Sequence, residues 1–132
     1  TDLLTNEFEK CFTFIDQSLE QGHQVLIHCH AGLSRSATIA TMYLMRKYSL
    51  TRDQALERLK SKRIRSAIQI NDSFLRQLDL YHQMNFCIDP QNDLYQEYQQ
   101  NRLNVTAKDI CFSDKETKIL LWADEEYREY RC

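Results

Sequence analysis

A nine-residue segment, residues 28–36, joins a short apolar stretch to a helical pattern and most strongly constrains how the chain can fold. The apolar run Val25-Leu26-Ile27 is short enough for a buried strand, and a helix is predicted from about Ser34 to Tyr48. A strand that passes through one tight loop into a helix is typical of α/β proteins. The segment reads His-Cys-His-Ala-Gly-Leu-Ser-Arg-Ser, and its Gly32 permits a positive φ or the close approach of a ligand.

The residue types in this loop are those of a phosphate site with a nucleophile at its base. Backbone N–H groups from His30 to Ser34 can turn inward at the positive end of the helix, and Arg35 can grip phosphate with two parallel hydrogen bonds. The same field favours the thiolate of Cys29, since such settings lower a cysteine pKa from about 8.5 to roughly 3.5–7.5. A lone cysteine is usually a buried small hydrophobe. Chance would fix His, Cys, Gly, Arg and Ser at these offsets in roughly one chain in 10⁵, however, which favours the nucleophile.

Composition limits the chain to one small domain or part of a larger one. Its 132 residues are 42% hydrophobic with a formal net charge of −2, which gives no overall signature of binding to nucleic acid or to an anionic membrane. No apolar run approaches the length of a membrane span. The chain begins at Thr1 without a methionine or a secretory leader, and we interpret it as an internal fragment.

The cysteines indicate a reducing environment. They are odd in number and none belongs to a C-x-x-C pair, so neither a zinc site nor an extracellular disulfide framework is supported within these residues. The sequence therefore predicts no metal, no cofactor and an intracellular location in the cytoplasm or nucleus, where a thiolate nucleophile stays reduced. The five residues are Cys11, Cys29, Cys87, Cys111 and Cys132.

Helical periodicity accounts for most of the chain up to residue 86. A first helix over about 5–21 is predicted with Thr5 as its N-cap, and Gly22 follows where a left-handed glycine often ends a helix. Two further helices begin at residues whose side chains accept hydrogen bonds from the first turn. They are a helix over about 52–62, with Thr51 and Gln54 at capping-box spacing, and one over about 72–85, capped by Asn71.

The pattern weakens after Phe86, and we expect a domain boundary near this point. Residues 1–86 are predicted to form the main domain, and residues 87–132 a helical extension or a linker toward a further module. Within the extension, Pro90 is expected to open a short helix, and residues 119–122 form only a weak apolar segment.

The string from His28 to Thr38 resembles the signature of the cysteine-based protein tyrosine phosphatases, and specifically of their dual-specificity branch. The resemblance includes Tyr43-Leu44-Met45 and Asn71-Asp72-Ser73-Phe74-Leu75, and it covers about residues 3–86. It implies an α/β fold of which the chain holds the C-terminal half: one clear strand, a phosphate-binding loop and several packed helices, with an incomplete sheet. Three later segments resemble the branch in which a zinc module follows the catalytic domain: Tyr81-x-x-Met84, Tyr95 to Arg102, and the tail ending at Tyr130-Arg131-Cys132.

The resemblance implies a role for each loop residue. Cys29 would attack phosphorus and form a phosphocysteine, while Arg35 would hold the equatorial oxygens of the phosphoryl group. Ser36 would hydrogen-bond the sulfur and help it leave when water attacks. The backbone that binds phosphate would belong to His30, Ala31, Gly32, Leu33 and Ser34.

Two further residues would support the loop. His28 is expected to orient it through hydrogen bonds, and the alternative is a satisfied histidine at a strand end. Asn71 is expected to steady the loop, to cap its own helix, or to do both. His30 is expected at the rim, with proton transfer as the alternative.

The resemblance also implies a general acid that we do not find in the chain. Relatives protonate the leaving oxygen with an aspartic acid, which is expected a few residues before Thr1. Asp2 lies too close to the first helix to match this residue, and Asp16 lies inside the helix.

The predicted activity is hydrolysis of phosphate monoesters on phosphotyrosine and phosphoserine/threonine proteins. One alternative is a phosphatase for RNA or phosphoinositides. Two features argue against it: the loop has no lysine to bind additional phosphates, and Ser36-Ala37 follows Arg35 where such phosphatases resemble Thr-Gly. A second alternative is a phosphate-binding pseudophosphatase or scaffold. The presence of both Cys29 and Arg35 argues against it.

The basic run Lys60-Ser61-Lys62-Arg63-Ile64-Arg65 is either a solvated helix end or a patch that guides acidic substrates or RNA.

Overall fold

The computed structural model of the chain describes residues 2–63, 67–104, 118–123 and 126–131, and these ranges contain six helices and three strands. In chain order they are α1 (Leu3–Asn6), α2 (Phe8–Glu20), β1 (Gln24–His28), α3 (Arg35–Tyr48), α4 (Arg52–Lys62), α5 (Asp72–Gln83), α6 (Asp93–Asn104), β2 (Lys118–Ala123) and β3 (Glu126–Arg131). Among the described residues, no helix is both long enough and apolar enough to span a bilayer.

The N-terminal region is divided into two helices, whereas the sequence predicted one helix from about residue 5. The residue that caps its start is Asp2, whose Oδ1 accepts a hydrogen bond from the N–H of Thr5 at 3.0 Å. The prediction of Thr5 as the N-cap was wrong because this upstream aspartate satisfies the first exposed donors about one turn earlier. The end of α2 follows the prediction: Gly22 has φ +79°, and the N–H of His23 donates to the Ser18 carbonyl at 3.0 Å.

The helices after the loop begin at the predicted caps. Thr51 and Gln54 form both bonds of a capping box at the start of α4, with the Gln54 side chain accepting from the Thr51 N–H at 3.0 Å. Asn71 Oδ1 accepts from the Phe74 N–H at 2.9 Å at the start of α5. Both caps were predictable because the donor and acceptor lie within one turn of each other.

The helix α6 begins three residues later than predicted. Pro90 lies in the turn before it, and the side chain of Asn92 accepts from the Leu94 N–H at 3.0 Å. An asparagine with a side-chain acceptor therefore determines the start of this helix, and the prediction that Pro90 opens it was wrong.

The three strands form one antiparallel sheet in the order β1-β2-β3. Leu26 of β1 lies opposite Leu120 of β2, which in turn lies opposite Glu129 of β3. The sequence predicted one clear strand and only a weak apolar segment at 119–122, which forms part of β2. The strands β2 and β3 were not predicted: the pairing of β2 with β1 joins segments about 90 residues apart, and β3 pairs only with β2.

The helix α3 is central to the packed part of the chain. It contacts α2, α4, α5 and β1, and so fixes the loop that precedes it against most of the fold. Four large side chains of α3 are buried in the core: Ile39, Met42, Tyr43 and Met45.

Hydrogen bonds link α6 to the N-terminal helix α1. The hydroxyl of Tyr95 donates to Thr5 Oγ1 at 3.2 Å, and the hydroxyl of Tyr98 donates to Asp2 Oδ1 at 3.1 Å. The side-chain amide of Gln99 also donates to Thr5 Oγ1, at 2.8 Å. The helix α6 therefore packs on residues of the predicted main domain, while the domain division near residue 86 stays a prediction.

Candidate active site

The loop between β1 and α3 contains the cysteine and the arginine that the sequence singled out, and we call residues 29–35 the phosphate loop. The strand β1 ends at His28 and α3 begins at Arg35, so the loop lies at the N-terminal, positive end of a 14-residue helix. Ser34 occupies the N-cap position with φ −121° and ψ −75°, and its hydroxyl does not cap its own helix. The first N–H groups of α3 therefore lack the usual side-chain acceptor from Ser34.

The thiol of Cys29 is partly exposed and lies 3.3 Å from the hydroxyl oxygen of Ser36. Burial raises the pKa of this thiol, but hydrogen bonds from the Ser36 hydroxyl and from the backbone N–H groups of Ser36, Gly32 and Ala31 lower it by more. The net pKa of Cys29 is below the ordinary value for cysteine. The geometry therefore favours the thiolate, which is the nucleophilic form.

Arg35 is the first residue of α3 and is partly exposed. Among the salt bridges between described residues, none involves its guanidinium. This cation is thus not neutralised by a described carboxylate, and a bound phosphate would be a suitable partner for its planar donor groups.

Three residues from the segment between α4 and α5 hold the phosphate loop from outside. The guanidinium of Arg63 donates to the Gly32 carbonyl at 3.0 Å, and the N–H of Gln69 donates to the Leu33 carbonyl at 2.9 Å. The side-chain and backbone N–H groups of Asn71 lie 3.5 and 3.4 Å from the Ser34 hydroxyl oxygen. The predicted contact of Asn71 with the loop is therefore present, together with its cap on α5.

Arg63 and Gln69 were not among the predicted site residues. Arg63 belongs to the basic run of residues 60–65, which we interpreted from the sequence as a solvated helix end or as a patch that guides acidic substrates or RNA. Lys60 and Lys62 of that run are exposed, as the first interpretation requires, whereas Arg65 lies outside the described residues. The positive charge of the run is visible in the sequence, but no local pattern indicates which of its members contacts the loop.

Gly32 has the left-handed backbone conformation that its position in the loop predicted. Its φ is +69°, and a Cβ atom at this position would lie 3.4 Å from Nη2 of Arg63. A larger residue would be strained by the positive φ, whereas its Cβ would make an ordinary van der Waals contact with this guanidinium. The glycine is therefore required by the turn of the loop.

The two histidines beside Cys29 occupy different environments. Nε2 of His28 is buried and has no hydrogen-bond partner among the described residues, so this atom does not bond to the described part of the loop. His30 is exposed, in accord with a place at the rim. The supporting role of His28 and the role of His30 stay predictions.

The two aspartates considered as general acids are engaged elsewhere. Asp2 caps α1, accepts from the Tyr98 hydroxyl and forms an ion pair with Arg102. Asp16 accepts from Lys47 at 2.6 Å and from the Tyr43 hydroxyl at 2.9 Å. The hydrogen bond from Lys47 lowers the pKa of Asp16, which makes this carboxyl a poor proton donor near neutral pH.

A strand, a phosphate loop with a low-pKa cysteine, and a helix that begins with arginine together define the class of cysteine-dependent phosphatases. Comparison with known proteins supports this class and identifies the family. The family model described as "Dual specificity phosphatase, catalytic domain" matches residues 1–84. The chain belongs to the dual specificity phosphatase family.

Individual relatives agree with this family. The chain is 36% identical over 103 residues to human dual specificity protein phosphatase 12, covering 78% of this chain and 29% of the relative. It is 48% identical over 71 residues to dual specificity protein phosphatase 1 of Arabidopsis thaliana, covering 54% of this chain and 35% of the relative. The crystal structure of PTPMT1 aligns with a TM-score of 0.57 and 34% identity over 63% of this chain and 51% of that chain. The predicted phosphatase fold is thus confirmed.

The chain spans about a third of the length of the curated relatives that it matches. The family is established by this match, while the activity, substrates and partners of the whole protein are inferences that follow from the site. The expected zinc module also stays a prediction.

Proposed function

We propose that the full-length protein hydrolyses phosphate monoesters on phosphotyrosine and phosphoserine/threonine proteins through a phosphocysteine intermediate. The observation that carries this proposal is the Cys29 thiol of lowered pKa, 3.3 Å from the Ser36 hydroxyl, at the base of a loop that ends in Arg35. Membership of the dual specificity phosphatase family supports the same activity.

In the first step, the Cys29 thiolate attacks phosphorus, a sulfur–phosphorus bond forms, and the bond from phosphorus to the substrate oxygen breaks. The N–H groups of the phosphate loop and the guanidinium of Arg35 stabilise the charge on the three equatorial oxygens. The departing oxygen takes a proton from a general acid or departs as an anion. Because Asp2 and Asp16 are bound to other groups, we do not assign this acid to either residue.

In the second step, water attacks phosphorus, an oxygen–phosphorus bond forms and the sulfur–phosphorus bond breaks, and the bonding pair returns to sulfur as thiolate. Inorganic phosphate leaves, and the proton lost by the water goes to the phosphate or to solvent. The hydroxyl of Ser36 lies close enough to donate a hydrogen bond to this sulfur as negative charge develops on it. The hydrogen bond that lowers the pKa of Cys29 thus also makes the sulfur a better leaving group.

We further propose that the partners are phosphorylated proteins in a reducing compartment, the cytoplasm or the nucleus. The chemistry requires a thiol that is not oxidised, and Cys29 and Cys87 are both free thiols. The exposed Lys60 and Lys62 would favour acidic segments in such partners. Binding of RNA to this basic run is the alternative.

The test compares the full-length protein with its Cys29→Ser variant on one peptide sequence that carries phosphotyrosine, phosphothreonine or phosphoserine. We expect the variant to lose turnover and to retain binding of tungstate, because serine lacks an easily formed anion while the loop is unchanged. The matched control is Cys87→Ser, which alters an exposed thiol and should preserve turnover.

Each outcome discriminates among the candidate functions. Substantial turnover by Cys29→Ser would show that another residue is the nucleophile. Turnover of an RNA 5′ end or a phosphoinositide, with no turnover of peptides by the unaltered protein, would support the non-protein phosphatase. Tungstate binding without turnover of any of these substrates would support the pseudophosphatase.

A further inference from the structure

Gly32 makes two opposed contacts through its backbone. Its N–H is one of the groups that lower the pKa of Cys29 by hydrogen bonding to the sulfur. Its carbonyl accepts from the guanidinium of Arg63 at 3.0 Å. One residue of the phosphate loop thus interacts with the nucleophile through its N–H and with the cation that follows α4 through its carbonyl.

This residue needs an external restraint more than its neighbours do. A glycine has access to both positive and negative φ at little cost, so the observed φ of +69° is not imposed by the residue itself. If Gly32 changed its conformation, its N–H would turn away from the sulfur of Cys29. A hydrogen bond to its carbonyl opposes this change, and the bond is strengthened by the charge of the guanidinium.

The location of Arg63 suits such a restraint. Arg63 is the C-cap residue that follows α4, with φ −91° and ψ 133°. Arg63 is partly buried, whereas Lys60 and Lys62 in the last turn of α4 are exposed. Its guanidinium forms no salt bridge with a described carboxylate. The contact with the Gly32 carbonyl therefore distinguishes Arg63 from the neighbouring cations.

We propose that Arg63 is a positioning residue, which holds Gly32 of the phosphate loop in the conformation that directs its N–H toward the sulfur of Cys29. Arg63 acts through the loop backbone and does not itself contact the reacting atoms. The role assigned to Cys29 rests on the proposed function, so the test includes measurements that need no turnover.

The experiment compares Arg63→Met, Arg63→Lys and the unaltered full-length protein. The pKa of Cys29 is measured from the pH dependence of alkylation by iodoacetamide, and loop integrity from the affinity for tungstate. The charged or titratable neighbours in the loop segment, His28, His30 and Arg35, are the same in every variant. Thermal unfolding establishes that the variants are folded.

We expect Arg63→Met to raise the pKa of Cys29 by about half a unit and to lower kcat/KM about tenfold, the equivalent of one hydrogen bond. Tungstate affinity should fall in the same variant. Arg63→Lys should recover part of each effect, since lysine keeps the charge and one donor but lacks the fork. The matched control is Lys62→Met. It removes an equal charge at the neighbouring position, where the side chain is exposed.

An unchanged thiol pKa and tungstate affinity in Arg63→Met would overturn the proposal. Equal effects of Lys62→Met and Arg63→Met would also overturn it, because a general field would then explain both. If the unaltered protein hydrolysed none of the substrates, the proposed function would fail, and the alkylation and tungstate measurements would still decide the role of Arg63.

Discussion

The side chains of Arg35 and Ser36 act on different atoms of the proposed reaction, although they are adjacent in the chain. Arg35 has no described carboxylate partner and is suited to the oxygens of the phosphoryl group. Ser36 is buried and lies 3.3 Å from the sulfur of Cys29. Substitutions at these two positions should therefore have distinguishable kinetic effects.

Arg35→Lys should be nearly as damaging as Arg35→Ala. Lysine keeps the positive charge but lacks the planar pair of donors that holds two oxygens at once, and we expect a loss in kcat of at least about 100-fold for both variants. Steady-state hydrolysis of a phosphotyrosine peptide measures this loss. Arg52→Lys, at a surface ion pair with Asp79, is the control. Near-normal activity of Arg35→Lys would show that charge alone suffices.

Ser36→Ala should move the acidic limb of the pH profile. The Ser36 hydroxyl helps to lower the pKa of Cys29, so its removal raises this pKa, by about one unit at most. Activity requires the thiolate. The thiolate predominates above the pKa of Cys29, and activity is lost as the pH falls through this pKa. The variant should therefore lose the largest share of its activity at acidic pH. The measurement is kcat/KM between pH 5 and 8, and a shift of this size lowers kcat/KM by about tenfold at the acidic end of the range.

The phosphocysteine should also break down more slowly in Ser36→Ala, which a burst of product in the first turnover would reveal. Ser61→Ala is a matched control, because the Ser61 hydroxyl is exposed and bonds only within its own helix to the Arg58 carbonyl. A pH profile of Ser36→Ala that matches the unaltered protein would contradict the assigned role of this hydroxyl.

Single helices of the chain were well predicted wherever their boundaries depend on neighbouring residues. The capping box of Thr51 and Gln54 and the cap of Asn71 each place donor and acceptor three residues apart, so the sequence contains the whole interaction. The prediction of Thr5 as the N-cap failed because Asp2 and Thr5 are both suitable capping residues and lie one turn apart. The sequence alone does not distinguish them, and the structure shows that Asp2 is the cap. Local sequence rules thus predict that a helix is present more reliably than they predict the residue at which it begins.

Asn71 links one such helix to the site, and two substitutions separate its two contacts. Asn71→Ala removes the cap of α5 and should destabilise the fold by about 1 kcal/mol, whereas Asn71→Ser keeps a capping oxygen and should cost only a few tenths. Both variants lack the side-chain N–H group beside Ser34. Urea unfolding measures the first effect, and kcat/KM measures the second.

Equal losses of kcat/KM in Asn71→Ala and Asn71→Ser would assign a loop-supporting role to the amide. A loss only in Asn71→Ala would mean that Asn71 acts through the stability of α5, and the loop role would be wrong.

Across the whole molecule, contacts between distant parts of the chain were the features that sequence analysis missed. The pairing of β1 with β2 and the bond from Arg63 to Gly32 join residues that no local pattern relates. The candidate nucleophile and its loop were recognisable because Cys29, Gly32 and Arg35 lie within seven consecutive residues. The residues that support the loop from outside were not predictable in this way, apart from Asn71, which the family resemblance suggested.

The contact of α6 with α1 yields a prediction about global stability. Tyr98→Phe removes the hydrogen bond from the tyrosine hydroxyl to Asp2 and should lower the free energy of unfolding by about 1 kcal/mol. Urea unfolding at neutral pH measures this change. Tyr48→Phe is the control, because the Tyr48 side chain is exposed and its ring would still stack on Arg58.

The same tyrosine predicts a pH dependence of stability. Burial, with a smaller effect of Tyr95, raises the pKa of Tyr98 to about 12. The unfolded value is about 10, so the stabilisation of neutral Tyr98 is complete below about pH 10 and is lost as the pH rises toward its folded value. Tyr98→Phe should show a smaller alkaline loss, because Tyr43 and Tyr81, whose pKa values burial also raises, remain in both proteins. A parallel decline of both proteins would contradict the assignment.

The hydroxyl of Ser34 is close to Asn71 and does not cap α3, so the first N–H groups of this helix lack an acceptor from their own N-cap side chain. A bound oxyanion would supply the missing acceptors, and ligand and fold are therefore thermodynamically linked. By mass action, an oxyanion at ten times its Kd stabilises the folded state by about 1.4 kcal/mol. Inorganic phosphate, the product of the proposed reaction, would thus protect the domain against unfolding, and the midpoint of thermal denaturation would rise with its concentration.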